Sequence, residues 1–209
     1  MKWIDAPQGS DVWLSARAGI ATASCFSDIM AEIKTGEAAG RRNYRARLVV
    51  ERLTGKPLPS FTTKSMQQGT EREPLARLAY EAATGNMVTE VGLCLHDTLE
   101  AGASPDGVIG TTRGIEIKCP ELATHLEYLR LKAEPPAYAW QIQGQIWICE
   151  LESVDFVSFN PDFPEHLQLV IRTIKRDDDA IKKLTDAVET FMNEVRTEQA
   201  FVLALPAAA

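Results

Sequence analysis

Long apolar runs are missing from this 209-residue sequence. The longest apolar run in the sequence, residues 201–205, is far shorter than the roughly 20 residues that a membrane-spanning helix needs. The first residues, MKWIDAPQGSD, also lack the continuous apolar segment of a signal peptide. We therefore expect a protein of the cytoplasm with no membrane partner.

Cysteine and histidine are scarce and scattered. The four cysteines include no Cys-x-x-Cys pair, and the three histidines are isolated from one another. This spacing matches neither a disulfide scaffold nor a zinc site built from Cys and His. We expect the cysteines to be buried or half-buried free thiols.

Positive charge is in deficit, with 22 Lys and Arg against 29 Asp and Glu and a net charge of −7. Nucleic-acid binding needs clustered cations, so this balance argues mildly against such a partner. Residues 40–55 are the exception, because they contain Arg41, Arg42, Arg45, Arg47 and Arg52. A solvated helix face is the simpler interpretation of this arginine-rich segment, which is also the best candidate for a surface that follows phosphates.

What is present is the pattern of one α/β domain. A chain of this length, with 45% hydrophobic residues, can build one substantial core. Periodicity and turn signals predict a mainly helical part over residues 1–85, a sheet core over 86–175 and a last helix over 177–198. In a helix predicted over about 74–83, Leu75, Leu78 and Ala79 are expected to face the core. We expect one central mixed sheet flanked by helices.

The segment SPDGVIGTTRGIEIKCP, residues 104–120, combines a turn with strand-like alternation. Residues 110–114 predict a turn, so residues 106–109 and 115–119 should pair antiparallel. Glu116 and Lys118 then share one face of a strand, with Asp106 within side-chain reach. Paired carboxylates suit Mg²⁺ or Mn²⁺, the carbonyl of Ile117 could add a ligand, and a neighbouring lysine can stabilise developing negative charge.

The sequence of this hairpin supports a purely structural interpretation as well as it supports the chemical one. Ser-Pro-Asp-Gly is an ordinary turn sequence, in which proline presets φ and Asp and Gly favour a turn. Glu116 and Lys118 would then form a loose pair on the exposed face of a half-buried strand. The hairpin taken alone leaves both interpretations open.

Four motifs in the same order resemble the lambda exonuclease family, also called YqaJ-type viral recombinase nucleases. The pattern Asp106-x9-Glu116-x-Lys118, preceded by Pro105, is similar to the PD-(D/E)xK metal motif of that family. The other three motifs lie in the segments VWLSARAGIATAS, QGTEREPLAR and AYAWQIQGQIW. The resemblance covers about residues 13–147 and implies a restriction-endonuclease-like core.

The resemblance implies a metal site in which Asp106 and Glu116 are the catalytic carboxylates, Ile117 is a carbonyl ligand and Lys118 is the catalytic lysine. Glu73 is implied as the helix carboxylate that completes the site, with Glu71 as the alternative. Thr70-x-x-Glu73, followed by a proline, is also a capping box, so a role confined to starting a helix stays open for Glu73.

A second implied group holds the 5′-phosphate of the cut strand: Arg17, Ser24, Ser104 and Gln141. Arginine suits this role because its guanidinium can donate two parallel N–H bonds to a phosphate, and hydroxyls and amides can complete the cage. Ser24 could instead cap a helix, and Gln141 could lie on a polar helix surface. Arg17 has no evident carboxylate partner in the sequence.

The implied activity is a Mg²⁺-dependent 5′-to-3′ exonuclease, with Mn²⁺ as a substitute and two ions per site, that digests one strand of linear double-stranded DNA to mononucleotides. Members of the family form homotrimeric rings around DNA, which would turn Arg41, Arg42 and Arg45 inward. The resemblance also implies a phage or prophage origin, the cytoplasm of a bacterial host and a single-strand annealing partner for the 3′ overhang. An endonuclease on the same fold and a non-catalytic DNA-end-binding recombination protein are the alternatives.

Overall fold

Two four-stranded sheets organise the residues that the computed structural model describes, 1–59 and 64–206. The first sheet has the order β1-β3-β4-β2 and consists of β1 (Lys2–Ile4), β2 (Ala21–Thr22), β3 (Leu93–Leu95) and β4 (Ala101–Ala103). β2 runs parallel to β4, and the other neighbours are antiparallel. Two short strands therefore lie within residues 1–85, which we predicted to be mainly helical.

The second sheet contains the predicted hairpin. Its order is β5-β6-β7-β8, with β5 (Gly107–Ile109), β6 (Arg113–Lys118), β7 (Ser153–Phe159) and β8 (Leu169–Lys175). β6 pairs antiparallel with β5, as expected, and parallel with β7 on its other side. The α/β class and the mixed character of the sheet are confirmed.

The predicted single sheet is divided at Ser104 and Pro105, directly after β4. Proline has no N–H to donate to a strand ladder, so the first sheet cannot continue through this position. The chain enters the second sheet at Asp106, whose backbone N–H donates to the Ile115 carbonyl at 3.0 Å. The predicted metal motif consequently lies at the junction of the two sheets.

Helices cover the sheets. The described residues contain α1 (Asp11–Arg17), α2 (Phe26–Ile29), α3 (Ala39–Thr54), α4 (Lys64–Thr84), α5 (Leu122–Arg130), α6 (Ala139–Ile148) and α7 (Asp178–Leu203). The main core joins α2, α3, α6 and α7, with Phe26, Leu48, Ile146 and Phe191 all buried. Burying each such side chain stabilises the fold by roughly 1.5–3 kcal/mol. No helix in the described ranges has the length and apolar content needed to cross a bilayer.

Helix α4 differs from its prediction in both start and orientation. It begins at Lys64, so Thr70 and Pro74 lie inside it and not at its beginning. The expectation that Leu75 and Leu78 face the core was wrong, because they are 53% and 62% exposed. Ala76 and Tyr80 fill the inner face instead, where a small residue and a ring fit against β6 and β7.

Candidate active site

The β5–β6 hairpin brings Asp106 to the Glu116 and Lys118 side of β6. Asp106 Oδ2 accepts the backbone N–H of Ile117 at 2.6 Å, which fixes the carboxylate against the strand. The apolar residues Ile115 and Ile117 pack in a core cluster on the other face. The prediction from strand alternation, that Glu116 and Lys118 share one face of β6, is therefore confirmed. That face is not exposed, however, because β6 is covered on both faces and Glu116 is only 1% exposed.

Glu116 is held from three directions. Gln141 Nε2 of α6 donates to Glu116 Oε1 at 2.6 Å, and Gln145 Nε2 donates to Oε2 at 2.5 Å. Lys118 Nζ forms an ion pair with Oε1 and lies 5.2 Å from the centre of the Tyr138 ring. A carboxylate buried this deeply is stable only when such donors satisfy it.

The electrostatic balance of the cluster favours an added cation. Burial, together with the negative charge of Glu116, raises the pKa of Asp106 well above its usual value. Burial opposes the charged form of Lys118, yet Glu116 and Asp106 outweigh that effect and raise its pKa. Two adjacent carboxylates share one lysine, and their oxygens are the hard ligands that Mg²⁺ and Mn²⁺ prefer, so the residues present fit a divalent ion.

Glu73 lies at the margin of this cluster. Its Oε1 accepts from Arg77 Nη2 at 3.1 Å, one helical turn away on α4. Burial raises the pKa of Glu73, while Arg77 and Lys118 act in the opposite direction. Within residues 1–59 and 67–206, no three Asp, Glu, His or Cys side chains converge closely enough to form a complete cation cluster. Glu71, the alternative ligand, is exposed. The choice between Glu73 and Glu71, and the ligand role of the Ile117 carbonyl, stay predictions.

The predicted phosphate group assembles around Arg17. Its Nη2 donates to Thr22 Oγ1 at 3.3 Å and to Ser24 Oγ at 3.4 Å. The guanidinium lies over the Trp13 ring at 4.1 Å, and Trp13 Nε1 donates to Ser104 Oγ at 3.0 Å. Burial lowers the pKa of Arg17. In the described part of the chain Arg17 forms no ion pair with a carboxylate, which leaves its charge available for an anion.

The phosphate group and the acidic cluster share one cavity. Its volume is about 180 Å³, and its lining includes Arg17, Ser24, Ser104, Asp106, Glu116, Lys118, Gln141 and Gln145. The structure thus brings together all the predicted site residues except Glu73, Ile117 and the arginines of α3. Gln141 reaches this cavity, but its amide donates to Glu116, so its phosphate role stays a prediction.

Comparison with known proteins identifies the family. The profile of the YqaJ-like viral recombinase domain matches residues 12–152. The chain belongs to this family. The YqaJ-like chain is also similar to the alkaline exonuclease LHK-Exo from Laribacter hongkongensis. The LHK-Exo complex with dAMP is 40% identical with a TM-score of 0.86, and another LHK-Exo structure is 39% identical with a TM-score of 0.84. Each comparison covers 92% of this chain and 96% of that one.

A more distant likeness supports the fold alone. A phage-related exonuclease from Haemophilus somnus 129PT has a TM-score of 0.64 at 17% identity, with 86% of this chain and 96% of that chain covered. Comparison with curated protein sequences gave no match.

The arginine-rich segment of the YqaJ-like domain is divided between two sides of α3. Arg41 and Arg45 form ion pairs with Glu37 and with Glu194, and Arg45 also pairs with Glu198 of α7. Arg42 is exposed. The structure does not bring these three arginines to the cavity, and the charges of Arg41 and Arg45 are already balanced within the chain.

Sequence reasoning missed three residues of the site. Trp13 precedes Arg17 by one turn of α1, a spacing that places both side chains on one helix face. Gln145 follows Gln141 by one turn of α6 in the same way. Thr22 lies in the quoted segment VWLSARAGIATAS but was not assigned to the site, because its contact with Arg17 depends on the turn between α1 and β2.

Proposed function

We propose that this chain is a divalent-metal-dependent exonuclease that digests one strand of linear double-stranded DNA from its 5′ end. Membership of the YqaJ-like family and 40% identity to a protein named as an alkaline exonuclease support a DNA exonuclease role. The observation that carries the proposal is one cavity lined by two carboxylates, a lysine and an arginine without a carboxylate partner in the described residues.

The proposed metal ligands are the carboxylates of Asp106 and Glu116, the carbonyl of Ile117 and, from α4, Glu73. Mg²⁺, with Mn²⁺ as a substitute, fits these oxygen donors, and we propose two ions per site. When bound, the metal would acidify a water molecule and offset negative charge on the phosphodiester. We propose that Lys118, which forms an ion pair with Glu116, orients the attacking water or stabilises the charge that develops on phosphate oxygens.

The polarity of digestion is proposed from the group around Arg17. A terminal 5′-phosphate has more charge than an internal phosphodiester, so a half-buried arginine with two hydroxyl groups beside it favours that end. We propose that Ser24 and Ser104 contact the same phosphate. Mononucleotides are the proposed products, which agrees with the dAMP bound to LHK-Exo.

The biological setting is proposed from the family. We propose a homotrimeric ring that receives double-stranded DNA ends, leaves a 3′ single-stranded overhang for a phage-type annealing protein, and acts in the cytoplasm of a bacterial host. Sedimentation analysis tests the ring, since a trimer has about three times the 23.1-kDa mass of the chain.

Digestion of matched linear and circular duplexes tests the activity. With Mg²⁺, the linear duplex should lose a 5′ label as mononucleotide before a 3′ label is released, and the covalently closed circle should stay intact. EDTA should stop the reaction. Cutting of the circle would indicate an endonuclease, and DNA-end binding without acid-soluble product would indicate a non-catalytic recombination protein.

A further inference from the structure

Gln145 has an unusual hydrogen-bonding position in the lining of the cavity. Its side chain is 1% exposed and lies one turn after Gln141 on α6. Its Nε2 donates to Glu116 Oε2 at 2.5 Å. Its Oε1 is buried and has no hydrogen-bond partner among the described residues. A buried acceptor without a donor destabilises a fold, so this one needs an explanation.

The orientation of the amide follows from the chemistry of its neighbour. An ionised carboxylate can only accept hydrogen bonds, so the NH₂ group of Gln145 must face Glu116. The carbonyl oxygen then has to point away from Glu116, and Gln145 lines the cavity that holds the acidic cluster. The buried oxygen therefore still needs a donor, and a polar cavity of this kind can hold a water molecule.

Gln141 and Gln145 each donate a hydrogen bond to a different oxygen of the Glu116 carboxylate. Among the described residues, Gln141 binds Oε1, which Lys118 also contacts, whereas only Gln145 binds Oε2. Gln141 is half-buried, so an incoming phosphate could draw it away. Gln145 is fully enclosed and would stay in place. Between them, Gln143 points elsewhere, to the Lys175 carbonyl and the Asp177 N–H.

We infer that Gln145 is a positioning residue that holds the Glu116 carboxylate for a divalent cation, and that its Oε1 accepts a hydrogen bond from a water of that cation. The inference rests on the proposed metal-dependent function. Its physical basis is that outer groups orient metal ligands, so a ligand that is already ordered loses less freedom on binding. Mg²⁺ usually keeps several waters, which supplies the missing donor.

Calorimetric titration of Mn²⁺ into the DNA-free protein tests this role without relying on activity. We compare the wild type with Gln145→Met, which keeps the length of the side chain and removes both hydrogen-bonding groups. The expected result is a Mn²⁺ affinity at least tenfold weaker, in the range found for the loss of outer-shell partners. On 5′-phosphorylated duplex, the Mg²⁺ concentration for half-maximal rate should rise by a similar factor, with much of the rate recovered at saturating Mg²⁺.

Gln143→Met is the matched control, because it removes a buried amide of the same helix outside the cavity. It should lower the melting temperature and leave Mn²⁺ affinity unchanged. Wild-type Mn²⁺ affinity in folded Gln145→Met would overturn the inference while leaving the nuclease proposal intact. A wild-type protein that binds no Mn²⁺ would overturn both.

A second variant and a structure complete the test. Gln145→Asn keeps the amide but is one methylene shorter, so it should also weaken Mn²⁺ binding, and it replaces Gln145→Met if that variant does not fold. A crystal structure with Mn²⁺ should show a water within hydrogen-bond distance of Gln145 Oε1. Absence of that water at an occupied metal site would overturn the second half of the inference.

Discussion

Asp106 lies where burial and a neighbouring carboxylate disfavour its negative charge in the metal-free protein. Burial and the neighbouring Glu116 raise its pKa well above the usual value. A carboxyl group with a raised folded-state pKa stabilises the fold fully below its unfolded pKa of about 3.9, and that stability is lost as pH rises through the folded value. At neutral pH the charged Asp106 in the metal-free site therefore lowers the free energy of unfolding. A bound cation would offset this loss of stability.

Replacement of Asp106 by Asn should stabilise the metal-free protein and abolish hydrolysis. In EDTA, its melting temperature should exceed that of the wild type by a margin that grows from about pH 4 upward. Each pKa unit of the shift corresponds to about 1.4 kcal/mol. Addition of Mg²⁺ should raise the melting temperature of the wild type only. Calorimetric scans over this pH range check both points, and an Asn variant less stable than wild type at pH 8 in EDTA would contradict the electrostatic argument.

Arg17→Ala should impair digestion of 5′-phosphorylated ends selectively. Loss of a charge-assisted hydrogen bond of about 1.5–3 kcal/mol corresponds to roughly a 10- to 100-fold slower reaction. Single-turnover rates on 5′-phosphate and 5′-hydroxyl duplexes measure the effect. The control is Arg42→Ala, which removes an exposed arginine outside the cavity. Equal losses on the two kinds of end would count against a phosphate role for Arg17.

The sequence was most informative about residues close together in the chain. Asp106, Glu116 and Lys118 share one hairpin, so strand alternation and turn length suffice to bring them together. Gln145 and Trp13 were missed because their importance depends on which helix face meets the site, which is decided by tertiary packing. The same limit applies to α4, where Leu75 and Leu78 are more hydrophobic than the residues that are actually buried.

At the scale of elements, α6 has to lie very close to α2. A Cβ atom on Gly144 would come within 2.4 Å of the Phe26 ring, so glycine is required by contact and not by backbone conformation. The close approach positions the face of α6 that carries Gln141 and Gln145 over Glu116. The sequence contains this glycine without revealing its partner, because the contact spans more than a hundred residues.

Gly144→Ala should destabilise the protein by about 1–3 kcal/mol through overpacking against Phe26. It should also reduce activity at temperatures where the protein is folded, because α6 must shift relative to β6. Gly69→Ala in α4 is the control: its added Cβ would lie 3.9 Å from the Cys119 carbonyl oxygen, an ordinary van der Waals distance, and better helix propensity should stabilise the variant by up to about 1 kcal/mol. Urea denaturation distinguishes the two, and equal stabilities would refute the packing argument.

Across the whole molecule, ion pairs connect α3 to the last helix, α7. Arg41 and Arg45 of α3 bind Glu37 and also Glu194 of α7, and the hydrogen bonds from Arg45 are the main cause of the lowered pKa of Glu37. A lowered carboxylate pKa gives stability that is present above the unfolded value, about 4.3 for Glu, and lost as pH falls through the folded value. The sequence showed the arginines but not Glu194, which lies far along the chain.

Arg45→Met should lower the free energy of unfolding by about 1 kcal/mol at low salt, with a smaller effect in 1 M NaCl. Digestion by the folded variant should stay near that of the wild type, because Arg45 lies outside the cavity. Arg42→Met serves as the exposed control. Unchanged stability combined with weaker, less salt-dependent DNA binding would instead assign Arg45 to the DNA surface.

The position of β6 in the interior of its sheet also affects the order in which parts of the protein unfold. β6 is hydrogen-bonded to β5 on one edge and to β7 on the other, and its apolar side chains are sealed beneath α4. Deuterium should therefore reach the amide of Glu116 among the last in the chain, through global and not local opening. A partly unfolded form, such as one with a frayed terminus, would keep this strand in register and could regain its chemistry without refolding the sheet.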